Sequence, residues 1–163
     1  MRGLAAQARQ KGLKFRYGVR SNVPQEVVGD PNRIRQILVN LVGNAIKFTE
    51  RGEVLIQVEQ TFLETGTACL HFTVKDTGIG ISEEKQKKIF EPFSQADGST
   101  TRNYSGIGLG LTISTRLVQI MGGTIWVESG LATAARFTSR SPSRLRKISR
   151  QLCTTLAVKN RSE

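Results

Sequence analysis

Apolar and polar residues alternate along this chain with two different periods. In KFRYGVR (14–20), Phe15, Tyr17 and Val19 occupy every second position, which predicts a half-buried strand. EVLIQVEQT (53–61) and ACLHFTVKD (68–76) predict two more strands around a turn at Gly66. In the second of these, Leu70, Phe72 and Val74 share one face, and Cys69, His71, Thr73 and Lys75 share the other. TIWVES (124–129) predicts a further strand. Between these segments the spacing becomes helical. Asp30-Pro31 reads as a helix start, because Asp caps free amides and Pro suits the first helical position. Ile34, Ile37, Leu38, Leu41, Ala45 and Phe48 then make one apolar face, with an end expected near Arg51-Gly52. A short helix is expected in SEEKQKKIF with Ser82 as its cap. A longer one is expected in LGLTISTRLVQIM (109–121), closed by Gly122-Gly123. Residues 94–106 are rich in Ser, Thr, Gly and Asp and predict a loop.

This order predicts an α+β fold: a two-layer sandwich with helices on one face of a mixed, largely antiparallel sheet. With 163 residues and 38% apolar content, the chain suits one compact domain. No run approaches the roughly 20 apolar residues of a membrane span. The segment MRGLAAQARQKGLKF lacks the apolar block of a signal peptide. A cytoplasmic chain without membrane contact is therefore expected. Cys69 and Cys153 form no CxxC pair and are expected to be ordinary thiols.

The net charge of +11 suggests nucleic acid until it is divided along the chain. Residues 1–129 hold 16 Lys+Arg against 12 Asp+Glu, whereas residues 130–163 hold 8 against 1. Most of the excess lies in the last fifth, where Phe137 is the one aromatic residue. A basic stretch without interleaved aromatics does not favour specific nucleic-acid binding.

Three groups of residues can do chemistry. Asn40, Asn44 and Lys47 lie at i, i+4 and i+7, within an arc of roughly 60° beside the apolar face. They form either a solvated flank or a set of amide oxygens and one ammonium for a cation and a phosphate. Asp76-Thr77-Gly78-Ile79-Gly80-Ile81 ends a predicted strand. It is either a charged turn or a carboxylate placed to accept from a base's amine, with glycines that allow close approach. Glu83 stands where a dinucleotide fingerprint needs its third glycine, and no GK[ST] is present. Gly106, Gly108 and Gly110 run into the helix at 109–121, where open amides and the helix dipole favour an anion.

Taken together these segments resemble a known family. DPNRIRQILVNLVGNAIKFTERGEV is similar to the N box of sensor histidine kinases, VKDTGIGIS to their first glycine box, IFEPFSQAD to their phenylalanine box and GIGLGLTIS to their second glycine box. The resemblance runs in family order over residues 13–129 and implies the Bergerat-type ATP-binding fold shared with gyrase, Hsp90 and MutL ATPases. It implies that Asp76 takes the adenine amine, with Gly78 and Gly80 beside the base. Asn44, helped by Asn40, would hold Mg2+, and Lys47 and Arg102 would contact phosphates. Gly106, Gly108 and Gly110 would close over the triphosphate. Phe90 and Phe93 would anchor that loop, or else pack in the core. The hydrolytic relatives carry a glutamate as base where this chain has Asn40, which favours a kinase over an ATPase.

The implied reaction transfers the γ-phosphoryl of ATP to a histidine on a dimerisation domain, and a response regulator receiver domain is an indirect partner. His71, the single histidine, is expected to face solvent and not to be the acceptor, so no catalytic residue is assigned within this chain. Residues 1–12 resemble the end of the dimerisation helix and its linker. The family continues after a strand like TIWVES with a final strand of the form GSTFxFxxP, but this chain reads GLATAARFTSRSPSRLRK. Codons for Ala132 to Ser143 can be chosen that read HGSTFHFTVPF from the third base, so a frameshift is a hypothesis that sequencing the gene would decide. On that view residues 130–163 form a basic, disordered tail and the last strand is missing.

Overall fold

A computed structural model describes residues 2–64, 67–90, 109–128, 136–142 and 147–149. Helix α1 (Arg2–Gln10) leads into β1 (Lys14–Val19), and a short β2 (Glu26–Val28) precedes the long helix α2 (Pro31–Phe48). Strands β3 (Glu53–Glu64) and β4 (Thr67–Asp76) are followed by helices α3 (Glu83–Lys88) and α4 (Leu109–Ile120). Strands β5 (Thr124–Glu128), β6 (Arg136–Pro142) and β7 (Lys147–Ser149) complete the order. Five strands form one sheet in the order β1-β3-β4-β6-β5, while β2 and β7 pair separately. Only the β1–β3 pairing within that sheet is parallel. The expected mixed, largely antiparallel α+β arrangement is the one observed. Among the described residues no helix is long and apolar enough to cross a membrane.

The core forms where the two periods meet. Asp30 caps α2 by accepting from the amides of Asn32 and Arg33 at 3.0 and 3.2 Å. The helix then buries Ile34, Ile37, Leu38, Leu41, Val42, Ala45 and Ile46. These pack on Val54, Ile56 and Val58 of β3 and Leu70, Phe72 and Val74 of β4. From α1, Ala8 is fully buried in the same cluster. Phe48, expected on the apolar face, is exposed. Thr49 is extended at φ −103° and ψ 116°, so α2 stops at Phe48, short of the expected Arg51-Gly52. Ser82 precedes α3 as expected, but its side chain makes no capping bond.

Two further expectations are corrected. His71 is not turned to solvent: its side chain is only 17% exposed. Nδ1 lies 3.1 Å from Glu59 Oε1, and the ring stacks on Trp126 with centroids 5.5 Å apart. Because β6 separates β4 from β5 in the sheet, the Trp126 indole spans it to reach His71. Nor is the last strand missing. Residues Arg136–Pro142 pair with β4 on one side and β5 on the other, with Phe137 opposite both Val74 and Val127. A strand between two edges needs backbone donors and acceptors, which any non-proline sequence supplies, so the unusual side chains do not empty the position.

Candidate functional site

The tip of β4 meets the C-terminal end of α2. Thr49, fully buried, donates from Oγ1 to Asp76 Oδ1 at 3.5 Å, and the Gly78 amide donates to the same oxygen at 2.9 Å. Asp76 Oδ2 has no donor among the described residues. Asp76 is 5% exposed. Burial pushes its carboxyl above the ordinary carboxylate range, against the opposing pull of the Gly78 amide and the Thr49 hydroxyl. A buried carboxylate with one oxygen still to be satisfied recognises an N–H donor.

Gly78 is required by space. A Cβ there would run into the Phe48 carbonyl oxygen and come within 2.8 Å of Asp76 Oδ1. Beyond it, the Ile79 amide donates to the Phe48 carbonyl at 3.4 Å, and Gly80 holds a left-handed φ of 70° that favours glycine. Ile79 itself is 65% exposed, giving the buried carboxylate an open apolar neighbour against which a flat base can lie. Thr77 Oγ1 accepts from the Glu53 amide at 2.9 Å and so ties the turn to the start of β3.

Two turns back along α2, the first turn of α4 closes on Asn40. Asn40 Nδ2 donates to Ser114 Oγ at 2.9 Å. A Cβ on Gly110 would strike Asn40 Oδ1, so the glycine lets the N-terminus of α4 approach the amide closely. Between these two points, Asn44 is half-buried and its side chain makes no hydrogen bond among the described residues, which leaves its amide oxygen available to a hard cation. Lys47 Nζ sits 5.1 Å from the centre of the Phe48 ring. Asn40 and Thr49 are nine positions apart, a rise of roughly 13 Å along the helix. A carboxylate and glycine turn thus stand at the C-terminal end of α2 and the N-terminus of α4 at its middle, with amides and an ammonium between. The span suits a base at one end and a polyphosphate at the other.

Of the residues expected in the site, Asn40, Asn44 and Lys47 lie along the C-terminal half of α2, with Asp76, Gly78 and Gly80 at its end and Gly110 against Asn40. Arg102, Gly106, Gly108 and Phe93 lie outside the described residues. Phe90 is partly buried against the core, in keeping with its packing reading. Sequence reasoning overlooked Thr49 and Ser114. Thr49 lies four residues after Ala45, so a polar residue on the buried face was the available signal. Ser114 carries the same signal, four residues before buried Val118.

A family described as histidine kinase-, DNA gyrase B-, and HSP90-like ATPase matches residues 29–145. The chain belongs to this family. Among curated relatives, the signal transduction histidine-protein kinase BarA of Escherichia coli (strain K12) is 48% identical over 126 residues, covering 77% of this chain and 14% of BarA. Histidine protein kinase 1 of Candida albicans is 53% identical over 103 residues, covering 63% of this chain and 4% of that protein. The chain thus spans a small part of the curated relatives it matches. Among solved structures, full-length ShkA in complex with AMPPNP superposes with a TM-score of 0.73 at 35% identity, covering 89% of this chain and 30% of ShkA. The catalytic domain of histidine kinase ThkA superposes at 0.70 with 30% identity, covering 87% of this chain and 90% of that domain. The chain is an ATP-binding catalytic domain of the histidine kinase type.

Proposed function

We propose that this domain binds Mg-ATP along α2 and transfers its γ-phosphoryl group to a histidine on a dimerisation domain. The observation that carries the reading is the buried Asp76 carboxylate, held through Oδ1 by Gly78 and Thr49, with Oδ2 left for an adenine amine. Gly78 and Gly80 let the base approach the turn. Asn44, with Asn40 beside it, would hold a magnesium ion, which when bound neutralises phosphate charge. Lys47 contributes a further positive charge, and the N-terminus of α4 at Gly110 faces the phosphates. Arg102, Gly106 and Gly108 complete the phosphate contacts in this reading.

Phosphoryl transfer depends on alignment and charge neutralisation more than on covalent help from the protein, and Lys47, Arg102 and the amides, together with a bound magnesium ion, would supply both. Asn40 cannot serve as a base, and an incoming histidine nitrogen needs none. His71 is no acceptor in this reading, since Trp126 covers its ring. The full-length protein would act in a two-component relay, with a receiver domain as the next partner. The test supplies a histidine-containing dimerisation domain together with ATP labelled at the γ-phosphate. Label on that domain's histidine supports the reading. Nucleotide binding without any transfer reduces the domain to a module that holds ATP.

A further inference from the structure

Three consecutive carbonyls at the end of α2 are taken by two different segments. A helix leaves its last carbonyls without intrahelical donors. Here Lys11 Nζ donates to the Ile46 carbonyl at 2.8 Å and to the Lys47 carbonyl at 2.9 Å. The next carbonyl, Phe48, accepts from the Ile79 amide of the adenine turn at 3.4 Å. The α1–β1 junction and the nucleotide turn therefore hang on adjacent peptide units.

Lys11 is launched from a fixed base. Gly12, at a left-handed φ of 72°, ends α1, with its amide bonded to the Arg9 carbonyl at 2.9 Å and the Leu13 amide to the Ala8 carbonyl at 2.9 Å. Ala8 and Leu13 are both buried in the core, so the lysine between them has little freedom at its Cα. A cation at a helix C-terminus also opposes the negative end of the helix dipole. The turn it steadies carries Lys47 and leads directly to Thr49, the hydroxyl that holds Asp76.

We propose that Lys11 is a positioning residue: by clamping the Ile46 and Lys47 carbonyls it sets the last turn of α2, and so couples the seating of the α1–β1 junction to nucleotide affinity. The affinity part rests on the Mg-ATP reading above. The experiment uses the full chain with Lys11→Met, which keeps the stem and removes the donors, and Lys11→Arg, which restores a cationic donor. Nitrogen–proton correlation spectra are recorded without nucleotide, and Mg-ATP affinity is measured on the same samples. Lys11→Met is expected to displace the Thr49 and Ile79 amide resonances, leave those of β5 in place, and weaken Mg-ATP roughly three- to tenfold. Lys11→Arg is expected to restore both. If Lys11→Met does not fold, Lys11→Gln is read in its place. Unmoved resonances with wild-type affinity, or an equal loss in Lys11→Arg, overturn the proposal. If the wild-type chain binds no Mg-ATP, the nucleotide reading fails separately, and the nucleotide-free spectra alone decide the role of Lys11.

Discussion

Asn40 Nδ2 donates to Ser114 Oγ at 2.9 Å, a bond that joins α2 to α4 across 74 positions of sequence. Ser114 is only 1% exposed, so its hydroxyl is no surface ornament. Replacing it by Ala leaves the Asn40 amide without its partner in a part-buried position. Ser114→Ala is expected to lower stability by about 1–3 kcal/mol in urea denaturation and to weaken nucleotide binding as α4 loosens. Unchanged stability and affinity would show that the bond positions nothing.

Gly78 offers a sharper steric test. A methyl group there meets the Phe48 carbonyl and the Asp76 carboxylate, both of which are held by other bonds. Gly78→Ala is expected to cost about 1–3 kcal/mol through overpacking and to abolish measurable nucleotide binding. Gly18→Ala on β1, where a Cβ meets nothing within 4 Å and no left-handed φ is needed, serves as a contrasting change expected to leave both stability and binding near wild type.

The titration of Asp76 gives a prediction with a definite sign. Burial raises its folded pKa above the ordinary 3.8, so the fold without nucleotide keeps a proton that the unfolded chain has already released. This group's contribution to stability is therefore greatest below pH 3.8 and is lost as pH rises through the raised value. A donated hydrogen bond from adenine favours the charged carboxylate. Mg-ATP affinity is then expected to rise with pH through the Asp76 titration and level off above it. Affinity measured across acidic and neutral pH checks this, with Asp76→Asn expected to be weak and to lack that rise.

Much of the fold was legible because its period is local. The alternation in β1, β3 and β4 and the helical stripe of α2 follow from which side chains must leave water, and the structure keeps them within a few residues of their expected bounds. Phe48 was misplaced because it is the last residue of α2: Thr49 turns extended and is the buried residue there, and the Phe48 carbonyl accepts from Ile79. β6 escaped notice because RFTSRSP has no apolar face to read, and its place is fixed by the backbone edges of β4 and β5. The site proposed above was legible in Asp76 and the asparagine flank. The residues that orient it, Thr49, Ser114 and Lys11, are ordinary polar residues whose roles exist only once distant segments meet.

The strand that stands in the unexpected place also makes a prediction. Ending the chain after Glu128 removes β6 and exposes facing edges of β4 and β5. Such a truncation is expected to lower the unfolding midpoint in urea and to promote association through the open edges, measured by light scattering. A truncated chain as stable and as monomeric as the full one would mean that β6 adds nothing to the sheet.

In the proposed reading α2, the tip of β4 and the start of α4 together cradle a metal-bound triphosphate nucleotide. Calorimetric titration of the full chain with ATP in the presence of magnesium tests it most directly, alongside Asn44→Ala and Asp76→Ala. Saturable binding is predicted for the wild type, with Asn44→Ala losing the magnesium dependence and Asp76→Ala losing preference for adenine over guanine nucleotides. Wild-type binding in both variants, or no binding in the folded wild-type chain, would contradict the account.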